Sequence, residues 1–237
     1  MDSLAGSDGP TRFRISGECS LIAVYGSGID VAVNERVRRM AALVGGLHHP
    51  AIAAVVPSYC TLALRYDPLR IQYAELTGLL LDLERRLDEA IVPEAATIEI
   101  PVCYGGEFGP DLDFVAAHNG LSVDEVIHLH AAGLYRIHAI GFAPGFCYLG
   151  GLDPRIHSPR LETPRVRVEA GSVGIAGSQT GVYPLASPGG WRLIGRTPLR
   201  LFAPERTRPA PYQPGDSLRF RPVTVEAFER LRREDQW

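Results

Sequence analysis

Helical spacing of apolar residues stops at Gly141, and from there to Pro222 glycine and proline punctuate short β-like runs. RVRVEAG, WRLIGR, LRLFAP and SLRFRPV alternate with turns, the pattern of a small antiparallel β-barrel. Within this region, residues 170–191 (AGSVGIAGSQTGVYPLASPGGW) hold no charged side chain. A flexible Gly/Ser linker would lack bulky apolar groups. This stretch carries Val173, Ile175, Val182, Tyr183, Leu185 and Trp191, so it reads as a folded segment whose backbone turns sharply and approaches something closely.

The first part of the chain is organised differently. TRFRISG and SLIAVYG read as strands, a helix covers about 30–47, and AIAAVVP and CTLALRY read as two more strands. A second helix over 73–90 has Leu76, Leu80, Leu83 and Leu87 as its apolar stripe. The order strand, helix, strand, strand, helix predicts a ferredoxin-like α+β sandwich over residues 11–93. PEAA at Pro93 is a short polar joint, and a second domain over 97–223 opens with the strand 97–102. A helix starts near Asp111, whose charge suits a helix N-terminus, and another opens with the capping box Ser122-x-x-Glu125 and closes at Gly133. YRIHAIGF then returns to strand, Asp216 sits in a tight turn feeding a strand, and 225–233 can form a short helix.

A net charge of -3 gives no electrostatic reason to expect nucleic acid or a membrane surface as partner, and the apolar runs are too short to span a bilayer. The start, MDSLAGSDGPTR, has neither the basic nor the apolar region of a secretory signal and reads as a frayed tail. Cys19, Cys60, Cys103 and Cys147 are widely spaced with no C-x-x-C pair, which predicts reduced, mostly buried thiols in a cytoplasmic protein. The chain contains no lysine, so Schiff-base chemistry and a P-loop lysine are excluded within it.

G-x-S-x-G, H-E-x-x-H, G-x-G-x-x-G and Walker A patterns are all absent. His128 and His130 lie two apart on a helix and point to different faces, so they read as solvated or half-buried histidines and no metal site is expected. GFAPGFCYLGGL is either an apolar wall with a backbone N–H nest for an oxyanion or a tight turn with aromatic packing. RIHSPRLETPRVRVEAG supplies His157, Arg160, Glu162, Arg165 and Arg167, suited to a carboxylate or phosphate or simply to surface ion pairs. GSQTGVYP places Gln179 and Thr180 between glycines, where they can meet an amide or cap turns. Trp191 can wall a pocket or fill the barrel core.

The run from GFAPGFCYLGGLDPRIHSPR through AGSVGIAGSQTGVYPLASPGGWRLIGRTPLRLF, with PVCYGGEFGPDL upstream, resembles the B subunit of bacterial 5-oxoprolinase. That family includes the Kip-type sporulation-kinase inhibitor and was long labelled allophanate hydrolase subunit 1. It is also similar to subdomains C and D of the carboxyltransferase region of urea carboxylase. Cys147 and Ser178 stand where the family pattern has proline. The resemblance implies a cyclophilin-like barrel for the second domain. It further implies work with a C subunit and a separate A subunit, the complex consuming ATP to open 5-oxoproline to glutamate. On that footing Arg165 is expected to hold a carboxylate or phosphate and His157 to transfer protons. Gln179 and Thr180 would bond the amide, the backbone at Gly145 and Phe146 would meet an oxyanion, and Tyr183 and Trp191 would complete the substrate site. The alternatives are a non-enzymatic inhibitor of a histidine kinase, a carboxyltransferase fragment acting on urea or a related amide, and, on barrel type alone, a prolyl isomerase.

Overall fold

The structure is a computed structural model that describes residues 11–234; the N-terminal stretch read as a tail lies outside them up to Pro10. The chain divides into two compact units between Glu94 and Ala95.

In the first unit, β1 (Arg12–Ile15) and β2 (Ser20–Val24) precede α1 (Val31–Gly46). β3 (Ile52–Pro57), β4 (Thr61–Tyr66) and α2 (Tyr73–Glu84) follow. The strands form one sheet in the order β1-β2-β4-β3, every pair antiparallel. Alternation along β2 and β4 puts Leu21, Ala23, Leu62 and Leu64 on the buried face. Val33, Val37, Met40 and Val44 of α1 and Leu76, Leu80 and Leu83 of α2 pack into the same core. Each such side chain contributes roughly 1.5–3 kcal/mol of burial. Asp30 caps α1 by accepting from the Val33 N–H at 3.0 Å. α2 ends six residues earlier than the sequence predicts; Leu87 still packs on the core from a short 3₁₀ turn over Leu87–Glu89.

The second unit begins with β5 (Thr97–Tyr104), α3 (Leu112–Asn119), α4 (Val123–Ala132), β6 (Tyr135–Ile140) and β7 (Cys147–Gly150). β8 (Arg165–Val168), β9 (Ser172–Ala176), β10 (Gln179–Val182), β11 (Ser187–Gly189) and β12 (Arg192–Arg196) follow. β13 (Ser217–Pro222) and α5 (Val225–Arg233) end it. Seven strands close into a barrel in the order β10-β7-β6-β13-β5-β12-β9, and β8 pairs with β11 as a separate two-stranded sheet. The expectation of a wholly antiparallel barrel is corrected at one seam, because β13 runs parallel to β5 from Ser217↔Thr97 to Pro222↔Val102. A parallel pair needs a long crossover, and here nearly the whole unit lies between its first and last barrel strands. LRLFAP is not a strand either. Leu201 and Ala203 are buried, but this proline-flanked segment runs irregularly and the Ala203 N–H bonds the Pro209 carbonyl at 2.8 Å.

The capping box of α4 forms as expected, the Glu125 N–H donating to Ser122 Oγ and the Ser122 N–H to Glu125 Oε2. Asp216 also fulfils the turn reading, its carboxylate accepting from Gln213 N–H at 2.9 Å and Ala96 N–H at 3.0 Å. The barrel core is aliphatic, with Tyr135 and Phe220 beside it and His130 stacked on Phe220 at 4.6 Å. No described helix is long and apolar enough to cross a membrane. All four cysteines are free thiols. Cys103 and Cys147 are buried as expected, whereas Cys60 is half-buried and Cys19 exposed, being in the tight turn between β1 and β2.

Candidate functional site: an aromatic cavity on the barrel

The loop GFAPGF between β6 and β7 sets the site. Phe142 lies in the left-handed region at φ 70° and Gly145 at φ 80°. The Gly141 N–H closes the loop on the Phe146 carbonyl at 3.0 Å. A bulky side chain in that region is strained. Phe142 is nonetheless 66% exposed, and its ring stands edge-on to Phe146 with centroids 5.6 Å apart. Buried Phe146 is the hub of the cluster, with Tyr148, Tyr183 and Trp191 at 4.9, 5.2 and 5.5 Å, all steeply tilted as aromatic quadrupoles prefer. These five rings wall a cavity of about 390 Å³, within the range of small-molecule sites.

The uncharged stretch explains itself here. Gly181 on β10 leaves room for the rings, since a Cβ there would lie 3.1 Å from Trp191 Cζ3 and 3.2 Å from Phe146 Cζ. Gly189 on β11 lies against the Tyr183 ring more closely than any Cβ permits. These glycines seat aromatic rings, and a charge among those rings would have to be desolvated. Among the described glycines, only Gly189 and Gly190 line the cavity itself.

An acid anchors one wall. Asp111 precedes α3 but makes no side-chain cap bond. Its carboxylate, 9% exposed, accepts from Arg165 Nη2 at 2.9 Å and from the Leu193 N–H at 2.7 Å. Arg192 lies 3.9 Å from Oδ1, the oxygen that Arg165 bonds, while the Leu193 N–H takes Oδ2, and the Arg192 guanidinium stands 3.6 Å over the Phe114 ring. Arg165 Nη1 also donates to the Trp191 carbonyl at 3.4 Å, so the clamp grips the backbone that carries Trp191.

The expected site residues separate into two groups. Phe146, Tyr183 and Trp191 line the cavity; Gly145, His157, Arg165, Gln179 and Thr180 do not. The Phe146 N–H donates to Ala143 O at 3.0 Å, so the turn reading of GFAPGF holds and that N–H is not free for an oxyanion. The Gly145 carbonyl accepts from Tyr212 Oη at 2.8 Å. His157 Nε2 donates to the Leu152 carbonyl at 3.2 Å. Thr180 is buried in the barrel, donating to Gly174 O at 3.0 Å.

His130 corrects another expectation, since it is fully buried rather than solvated or half-buried. Thr180 Oγ1 spends its proton on Gly174 O, so at 2.9 Å it accepts from His130 Nε2–H. Nδ1 is then the acceptor for Tyr104 Oη at 2.7 Å. Burial lowers the imidazole pKa from 6.5 to about 3, which keeps it neutral.

The model of the carboxyltransferase domain, subdomain C and D, matches residues 11–212. The chain belongs to this family. It is 40% identical to the B subunit of 5-oxoprolinase from Bacillus subtilis (strain 168), covering 94% of this chain and 98% of that one. Identity to the B subunit of 5-oxoprolinase from Escherichia coli O157:H7 is 43%, covering 89% and 95%. The crystal structure of TTHA0988 superposes with a TM-score of 0.77 at 38% identity over 87% of this chain, which spans 40% of that longer protein.

In this carboxyltransferase-family chain, the cavity offers binding and orientation rather than covalent chemistry. Among the described residues, its lining holds no Ser, Cys or His nucleophile. Nearby Cys147 is buried, which pushes its thiol up to about 11 and leaves it un-ionised. Tyr183 is also raised by burial, partly offset by a hydrogen bond with the Trp191 backbone and by the charges of Arg160 and Arg165. Among the described residues, no group of three His, Cys, Asp or Glu is placed to hold a metal ion. Phe142 and Tyr148 line the cavity as the apolar-wall reading of GFAPGFCYLGGL has it, although they were not singled out as substrate-binding residues, and sequence reasoning did not identify Asp111 as part of the site. The two aromatics stood in the quoted GFAPGFCYLGGL run, whereas Asp111 reaches Arg165 only through the fold, across 54 residues.

Proposed function

We propose that the chain is the B component of an ATP-dependent 5-oxoprolinase, a complex with C and A subunits that opens 5-oxo-L-proline to L-glutamate. Near-full-length identity to two proteins of that name supports the reading. The geometric observation that carries it is an aromatic cavity of about 390 Å³ whose lining, among the described residues, has one charged side chain, Arg160. A planar lactam ring bearing one carboxylate matches such a site in shape and charge. The chain's task is then to hold and orient the ring for reaction, while the aromatic walls exclude water.

Nucleotide chemistry belongs to the partner subunits on this reading. The chain has no lysine, the Phe146 N–H is taken, and one guanidinium is a poor match for a triphosphate. The same reading makes the chain a cytoplasmic hydrolase component with a ferredoxin-like first unit and a cyclophilin-like barrel. In the first unit, β1 occupies the sheet edge that a ferredoxin-like fold gives to its last strand.

The test is 5-oxoproline-dependent formation of ADP and glutamate by this chain mixed with its A and C subunits. Activity in the full mixture and none when this chain is omitted is the expected result. Equal activity without it would overturn the reading.

A further inference from the structure

Four arginines flank or enter the β8 region, and three are neutralised. Arg155 bonds Asp153 at 2.7 Å, Arg165 bonds Asp111 at 2.9 Å and Arg167 bonds Glu169 at 2.7 Å. Arg160 differs. It is exposed, it lines the aromatic cavity, and among the described residues its guanidinium has no ion pair or hydrogen bond. Beside it the cavity presents an exposed phenyl ring held in a left-handed backbone conformation at φ 70°, a cost that persists where the surroundings require it.

We propose that Arg160, rather than Arg165, anchors the carboxylate of a small flat amide ring bound in the aromatic cavity. This rests on the 5-oxoprolinase reading and names the recognition group for its substrate class. The chemistry favours a monoanion. The guanidinium fork matches a carboxylate with two parallel hydrogen bonds. Among the described residues no acid lines the cavity, so its one formal charge, that of Arg160, favours an anion over a cation. A phosphate dianion would need more donors than one arginine at an aromatic wall provides. Arg165, with its charge met by buried Asp111, positions the Trp191 wall instead.

The experiment titrates the full chain with three probes by calorimetry: 5-oxoproline, pyrrolidinone (the lactam without the carboxylate) and benzoate (a flat carboxylate without the lactam). The variants are Arg160→Met, Arg160→Lys and, as a surface control, Arg155→Met. The expected result is that Arg160→Met weakens 5-oxoproline by roughly tenfold or more, the order of one charge-assisted hydrogen bond. Pyrrolidinone is unaffected, Arg160→Lys recovers part of the loss and Arg155→Met changes nothing. In the assembled complex the same Arg160→Met change raises KM with kcat retained. Unchanged 5-oxoproline affinity and unchanged KM in Arg160→Met overturn the anchor even if the complex needs this chain for activity. Arg160-dependent binding of benzoate with no binding of 5-oxoproline overturns the proposal, because the ring held is then not an amide, while the three-component activity test still decides the 5-oxoprolinase reading.

Discussion

Arg165 and Asp111 meet at 2.9 Å from elements 54 residues apart, and through them the backbone at Trp191 and Leu193 is tied to the start of α3. Removing one partner of a mostly buried pair leaves the other unpaired, which costs more than the pair's net contribution. Asp111→Ala strips acceptors from the Arg165 guanidinium and the Leu193 N–H together. The expected loss is about 3 kcal/mol, measured by urea denaturation followed on the barrel unit. Arg165→Met should cost less, because Arg165 is 29% exposed and Asp111 keeps the Leu193 bond. Equal losses would show that the ion pair, not the backbone bond, carries the clamp.

His130 gives the barrel a pH dependence whose sign is fixed. Its pKa falls from 6.5 in the unfolded chain to about 3 in the folded one, so between those values the unfolded state binds the extra proton. Stability from this group is therefore full above pH 6.5 and declines as pH drops toward 3, by up to about 1.4 kcal/mol per pH unit. His138, lowered by burial and by Arg136, adds in the same direction. His130→Phe should be less stable at neutral pH, because Tyr104 and Thr180 lose a partner, but flatter below pH 6.5. Urea midpoints across that range, compared with wild type, check both statements.

Gly189→Ala tests how the glycines shape the cavity. A Cβ there collides with the Tyr183 ring, which is itself wedged against Phe146 at 5.2 Å. Over-packing of this kind typically costs about 1–3 kcal/mol. Displacing Tyr183 narrows the cavity, so binding of 5-oxoproline should weaken together with stability. Gly177→Ala, with open space around its Cβ but φ at 58°, should cost stability through backbone strain while sparing the ligand.

The thiols should react in order of exposure. Cys19 is exposed and should label with a thiol reagent in the native protein at once. Cys147, buried and raised to about 11, and buried Cys103 should label only on unfolding. Fast native labelling of Cys147 would contradict the packing of the barrel core.

Local signals in the sequence were enough to place most elements. The capping box at Ser122, the leucine stripe of α2 and the glycine-punctuated short strands report periodicity and turn chemistry, which are properties of neighbouring residues. The parallel β5–β13 seam and the irregular path at Leu201 depend on where distant segments meet, and no local pattern encodes that. The same division holds in the site. Phe146, Tyr183 and Trp191 stand out as large aromatics among glycines, and they do line one cavity. Thr180 and His130 look like free polar groups in sequence, yet they satisfy each other inside the barrel. Arg160 and Arg165 are indistinguishable by residue type; only the placement of Asp111 neutralises one and leaves the other at the cavity.

The most direct measurement is ADP and glutamate formation from 5-oxoproline by the assembled three-component mixture, with this chain present, absent, or carrying Arg160→Met. The account predicts full activity with the chain, none without it, and a KM raised roughly tenfold or more in the variant. Equal turnover with and without this chain would contradict the central claim.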